Sequence, residues 1–131
     1  MARSITTFLM FTGTAEEAMN FYVSLFRGSK VESVEYYGPG EDGPQGSVKQ
    51  AKFTLNGSHF RCFDSPIKHK FTFTPSISIF VECDDEAELQ SAFERLSSGG
   101  ELLMPLDNYG FSQKFGWVND RFGVSWQLNL Q

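Results

Sequence analysis

The stretch FGWVNDRFGVSWQLN, residues 115–129, decides how the rest of the chain is read. From Val124 onward, apolar Val124, Trp126 and Leu128 alternate with polar Ser125, Gln127 and Asn129. Alternation of this kind marks a strand with one face in a core and the other outside it. The preceding loop, Asn119–Asp120–Arg121–Phe122–Gly123, holds an Asp able to bond its own turn and a Gly free to take positive φ. It therefore joins two strands. The polar face presents an amide, Gln127, where a catalytic protein could carry a carboxylate.

Working outward, the chain repeats one unit. Residues 5–11, ITTFLMF, read as a strand, and Thr14 with Glu17 forms a capping-box pattern that starts a helix. Met19, Tyr22, Val23 and Phe26 recur at helical spacing, and Gly28 ends the helix. The same order returns about seventy residues on. PSISIFVEC (75–83) reads as a strand with Ile77, Ile79 and Val81 toward a helix and Ser76, Ser78 and Phe80 on the other face. Asp84 stands as the cap, Leu89, Ala92, Phe93 and Leu96 form the stripe, and Gly99–Gly100 close the helix. A repeated strand–helix pair points to duplication.

Strand-like segments follow each helix: 30–37, 47–55 and 59–64 in the first half, 101–104, 111–118 and 124–130 in the second. Asn56–Gly57 is a hairpin turn, and GPGEDGPQG (38–46) is a mobile surface loop. The expected fold class is α+β, two βαβββ modules forming a cupped mixed sheet. The domain organisation is one domain over 1–131, with module 1 about 1–66 and module 2 about 74–131. One helix covers one face of each sheet; if Trp126 and its neighbours pack under it, Ser125, Gln127 and Asn129 belong to the face left over, and alternation alone leaves the inverse orientation open.

Composition narrows the function. Hydrophobic residues make up 40% of the 131 and charged residues 21%, the balance of a globular domain. A net charge of −5 without a basic run argues against nucleic acid. The apolar start is too short for a signal peptide, and no segment nears the ~20 apolar residues of a membrane span. Cys62 and Cys83 form no CxxC pair and read as buried reduced thiols of a cytoplasmic protein. His59 and Cys62 point to opposite faces of one strand, so they make no nucleophile–base pair. Asp84, Asp85, Glu86 and Glu88 suit the positive end of a helix.

Paired βαβββ units, the FY of NFYVSLF (21–26) and WVNDRFGVSWQ (117–127) resemble the vicinal-oxygen-chelate superfamily, the glyoxalase/bleomycin-resistance/dioxygenase fold. More narrowly they resemble its PhnB-like branch, the 3-demethylubiquinone-9 3-methyltransferase-like domains. That resemblance implies a homodimer with a concave face that binds a small molecule, often over a divalent metal. It carries the metal-ligand positions onto Thr7, Ser76 and Gln127, two hydroxyls and a neutral amide. Such groups hold divalent ions poorly beside imidazole and carboxylate. Asp64 is the nearest additional carboxylate, and one Asp does not make a site. The glycines do not follow a strand to open a helix, as a methyl-donor cradle requires.

The expectation is therefore a protein that binds a small apolar or aromatic molecule without cofactor or intrinsic metal. Thr7, Ser76 and Gln127 would hydrogen-bond the ligand, and Phe80, Phe115 and Trp117 would supply contact area. Tyr109 and Phe111 share the spacing of Phe115 and Trp117, and this aromatic set suits either a pocket wall or a core. Two alternatives stand beside this reading: a metal-dependent lyase, isomerase or dioxygenase recruiting Asp64, and a non-catalytic dimeric interaction protein.

Overall fold

A computed structural model describes residues 1–131. The chain divides into two compact units, Met1–His69 and Lys70–Gln131. Unit 1 runs β1 (Thr7–Phe11), α1 (Ala15–Leu25), β2 (Lys30–Tyr36), β3 (Val48–Leu55) and β4 (Ser58–Asp64). Unit 2 runs β5 (Ile79–Glu82), α2 (Glu86–Ser97), β6 (Glu101–Asp107), β7 (Lys114–Asn119) and β8 (Ser125–Leu130). The sheet orders are β1-β4-β3-β2 and β5-β8-β7-β6. In each, the first strand lies parallel to the last and the other pairs are antiparallel. The α+β duplication expected from the repeat is present.

In unit 1, α1 buries Ala15, Ala18, Met19 and Tyr22. The sheet answers with Leu9, Phe11, Ala51, Phe53, Phe60 and Cys62, all buried. Phe53 and Phe60 are cross-strand partners whose rings stack at 5.3 Å. Asn56 and Gly57, with φ of 49° and 86°, make the expected tight hairpin turn.

The start of α1 differs from the capping box read in the sequence. Thr14 makes no side-chain cap bond. Asp64, at the end of β4, does the work from 49 residues away. Its Oδ1 accepts the N–H of Ala15 at 3.0 Å and of Gly13 at 2.8 Å, and its Oδ2 accepts that of Val48 at 2.9 Å. An ionised carboxylate meets these otherwise orphaned donors more strongly than a hydroxyl would. The 38–46 loop is also fastened: Glu41 bridges Lys49 and the N–H of Gly38, and Gly43 lies against the ring of Tyr37.

In unit 2, α2 buries Leu89, Ala92, Phe93 and Leu96 over Trp126, Leu128 and Val118. The contact is close: a Cβ on Gly116 would stand 2.4 Å from the Phe93 ring, so only glycine fits there. The cap falls on Asp85 rather than Asp84, because the Cys83 N–H still bonds Asn129 and keeps the chain extended one residue further. Asp85 accepts from Glu88 N, while the Glu88 carboxylate accepts from Asp84 N.

The strand expected from residue 75 begins only at Ile79. Residues 75–78 form a turn in which the Thr74 carbonyl accepts the N–H of Ile77. Ile77 consequently points outward, 75% exposed, rather than under the helix. The segment read as 101–104 extends to Asp107, and that read as 111–118 begins at Lys114, leaving Tyr109 and Phe111 in a loop.

The capping role of Asp64 has a measurable consequence. Asp64→Asn, which sets an amide N–H₂ against backbone donors, should lower unfolding free energy by about 2–4 kcal/mol in denaturant titration. Thr14→Ala should cost less than about 0.5 kcal/mol. Similar losses for both would refute the assignment.

Candidate functional site

The strand register of unit 2 sorts its side chains into two faces. Ile79 pairs with Trp126 and Val81 with Leu128 on the face under α2. Phe80, Gln127, Trp117 and Met104 then form one row across β5, β8, β7 and β6 on the opposite face. Phe115 and Asn129 follow in the next row, and Asn119 and Ser125 in the one before.

A hydrogen-bond chain runs through this face. The Trp117 indole N–H donates to Ser125 Oγ at 2.8 Å, and Ser125 Oγ lies 2.6 Å from Ser78 Oγ. The Gln127 side-chain N–H₂ donates to the same Ser78 oxygen at 3.3 Å. An indole can only donate, so the Ser125 hydroxyl hydrogen is free for Ser78. The Gln127 carbonyl oxygen is left without a protein partner, beside Phe80, which is 56% exposed. A second chain lies one row on. Asn129 donates to Glu82 at 2.9 Å and accepts from Ser112 at 2.6 Å, which holds the 108–113 loop to the sheet. Within that loop, Tyr109 and Phe111 pack edge-on against Phe115 at 6.1 and 5.1 Å.

Gln127, Phe80, Trp117 and Phe115 thus share one face, although the Phe115 ring is covered by the loop aromatics. Ser76 is exposed in the turn and bonds Thr74. The hydroxyl that reaches Gln127 is Ser78, two residues later, with Ser125 as its neighbour. Neither stood out in the sequence, where the strand was read from residue 75 and small polar residues alternate without distinction. Thr7 pairs with Phe60 on the α1 side of the first sheet, at the exposed start of β1.

A divalent metal, implied by the superfamily resemblance, does not fit these residues. Both Asp64 oxygens are engaged by three backbone N–H groups. Nowhere do three or more His, Cys, Asp or Glu side chains converge in a way that could hold a cation. The thiols are equally unsuited to nucleophilic work. Burial, with Asp64 nearby, pushes Cys62 up to about 12. Burial and the carboxylates of Glu88, Glu82, Asp84 and Asp85 push Cys83 to about 12 as well. A separate groove of about 410 Å³ lies between α2 and β6, lined by Phe93, Leu102, Pro105 and Leu106. The polar side chains at its rim, Gln90 and Glu94, bond each other at 3.0 Å.

Residues 3–129 match the family described as 3-demethylubiquinone-9 3-methyltransferase. The chain belongs to that family. Its fold is the vicinal-oxygen-chelate fold and its branch is PhnB-like. It is 53% identical to a putative 3-demethylubiquinone-9 3-methyltransferase, a PhnB protein from Bacillus cereus. That likeness has a TM-score of 0.96 and covers 98% of this chain and 100% of the other. Protein PA1353 from Pseudomonas aeruginosa is 26% identical with a TM-score of 0.86, over 99% of this chain and 98% of its own. The fosfomycin resistance protein FosX from Mesorhizobium loti is 11% identical with a TM-score of 0.62, over 100% of this chain and 94% of its own. At that identity the likeness concerns fold alone.

Three outcomes follow for this PhnB-like protein. At pH 8 both thiols should resist an aromatic disulfide reagent in the folded state and react at once in denaturant; immediate labelling of the native protein would contradict the burial. Native thiols held near 12 against about 9 unfolded keep their protons longer on the folded side. Stability should therefore fall as pH rises above about 9. Ser125→Ala, which strands the Trp117 indole N–H, should cost about 1–3 kcal/mol by thermal or chemical unfolding.

Proposed function

We propose that this PhnB-like protein binds a small apolar or aromatic molecule on the face of the second sheet turned away from α2, without an intrinsic metal ion. The observation that carries the reading is the Gln127 carbonyl oxygen, oriented by Ser78 and left unpartnered next to the exposed ring of Phe80. A few oriented neutral polar groups set among aromatic surface is the usual constitution of a small-molecule site. Gln127 would take a donor of the ligand, and Phe80 and Trp117 would supply contact area. The expectation for Ser76 passes to Ser78, and Thr7, at the exposed start of β1 on the α1 side of the first sheet, is given no part in this site.

Methyl transfer finds no support in the backbone. The glycine-rich 38–46 segment joins antiparallel β2 to β3, whereas a methyl-donor cradle turns from a parallel strand into a helix. A metal-dependent lyase, isomerase or dioxygenase would need Asp64 released from the start of α1. The unpaired buried thiols suit a reducing compartment, so we place the protein in the cytoplasm as a homodimer of the usual kind for this fold. No helix of the chain is long and apolar enough to cross a membrane.

The test is a thermal-shift screen against small aromatic metabolites and antibiotics, with elemental analysis of unchelated protein alongside. A ligand at ~10 times its Kd should add about 1.4 kcal/mol, raising Tm by roughly 4–6 °C. Gln127→Ala and Phe80→Ala should remove that shift while leaving the ligand-free Tm nearly unchanged. A stoichiometric transition metal, or no ligand response across the panel, would overturn the reading.

A further inference from the structure

The first sheet carries a face of different character on its side away from α1. Its register lines up Phe8, Arg61, Lys52 and Ser33 in one row across β1, β4, β3 and β2. Met10 and Phe63 pair in the adjacent row. Leu9, Phe11, Phe53, Phe60 and Cys62 occupy the α1 side, so period-two geometry turns Phe8, Met10, Arg61, Phe63 and Lys52 to the other. Phe8 is 59% exposed and stacks on Phe63 with ring centroids 5.0 Å apart at 24°. Arg61 is half-buried, yet neither it nor Lys52 has a hydrogen-bond or ion-pair partner.

This is an uneconomical arrangement for stability alone. The chain has 16 Asp and Glu against 11 Lys and Arg, so carboxylates are plentiful. Elsewhere Lys49 is paired with Glu41 and Lys114 with Glu86. On the face in question the one carboxylate in the paired rows is Glu35, opposite Gln50 toward the β2 edge. A partly desolvated guanidinium beside an exposed stacked pair of rings lacks an anion, and the rings offer a flat apolar surface beside it.

We propose that this face binds small aromatic monoanions, with Arg61 as the bidentate partner of a carboxylate-type group and the Phe8–Phe63 pair as the platform for the ring. A guanidinium forms two parallel charge-assisted bonds to such a group, which a lysine cannot reproduce. Lys52, next in the row, adds attraction without fixing geometry. A long polyanion is not the occupant: the chain carries a net charge of −5 and lacks the basic stripe that phosphate backbones require.

The experiment is calorimetric titration of the intact protein with 2-naphthoate and with its neutral isostere 2-naphthamide. The acid should bind about tenfold or more tightly than the amide, as a charge-assisted pair implies. Its affinity should fall when NaCl is raised from about 50 to about 500 mM. Arg61→Gln should abolish the preference for the acid, Arg61→Lys should restore it only in part, and Phe8→Ala should weaken both ligands. If Arg61→Gln lowers the melting temperature, Lys52→Gln carries the test, with a smaller loss confined to the acid. Equal binding of acid and amide, or an acid preference that survives Arg61→Gln, overturns the proposal. So does a dimer that Phe8→Glu dissociates and that takes up no naphthoate in either form, since the face would then be an interface between copies.

Discussion

Both oxygens of Asp120 are committed. Oδ1 accepts the N–H of Phe122 and Val124, closing the loop between β7 and β8, and Oδ2 accepts the indole N–H of the buried Trp126 at 2.8 Å. The turn and the largest core side chain of unit 2 are thereby tied to one carboxylate. With Trp126 anchored under α2, strand alternation sends Ser125 and Gln127 to the opposite side. A slip of one residue in β8 would turn that amide and hydroxyl toward Leu89 and Phe93 and take Trp126 and Leu128 out of the core. The polar face of β8 is a consequence of how the apolar face is held.

Much of this was legible in advance. The doubled βαβββ order, the hairpin at Asn56–Gly57 and the facing of Gln127 away from the helix all follow from local periodicity and turn chemistry. Errors gathered where a long-range contact overrode a local signal. Thr14 has the residue type of a cap, but Asp64 arrives from β4 and takes the donors. Ser76 alternates correctly with Ile77, yet the strand had not begun, and a turn holds both outside the sheet. Ser78 and Ser125 become significant only through the β5–β8 register, which brings their hydroxyls within 2.6 Å, and no single segment encodes that distance.

The uncovered faces of the two sheets differ in chemistry despite a common topology. Where unit 2 places Gln127 in the row of β8, unit 1 places Arg61 in the row of β4, and each has a phenylalanine beside it on the first strand of its sheet. Duplication preserved the pairing pattern, while single positions on the outward faces set a neutral amide beside the phenylalanine in one sheet and a guanidinium in the other.

The two helices also differ in what they need before they can form. Asp85 and Glu88 lie within the first turn of α2, so its end groups are satisfied as soon as that turn closes. The first turn of α1 waits for a carboxylate 49 residues away, beyond two intervening strands. Helix nucleation is unfavourable unless its end donors find partners early, and a distant partner adds the entropy of closing a long loop. On this account the second half is expected to order its helix from local contacts alone, whereas the helix of the first gains its cap only when β4 is in place.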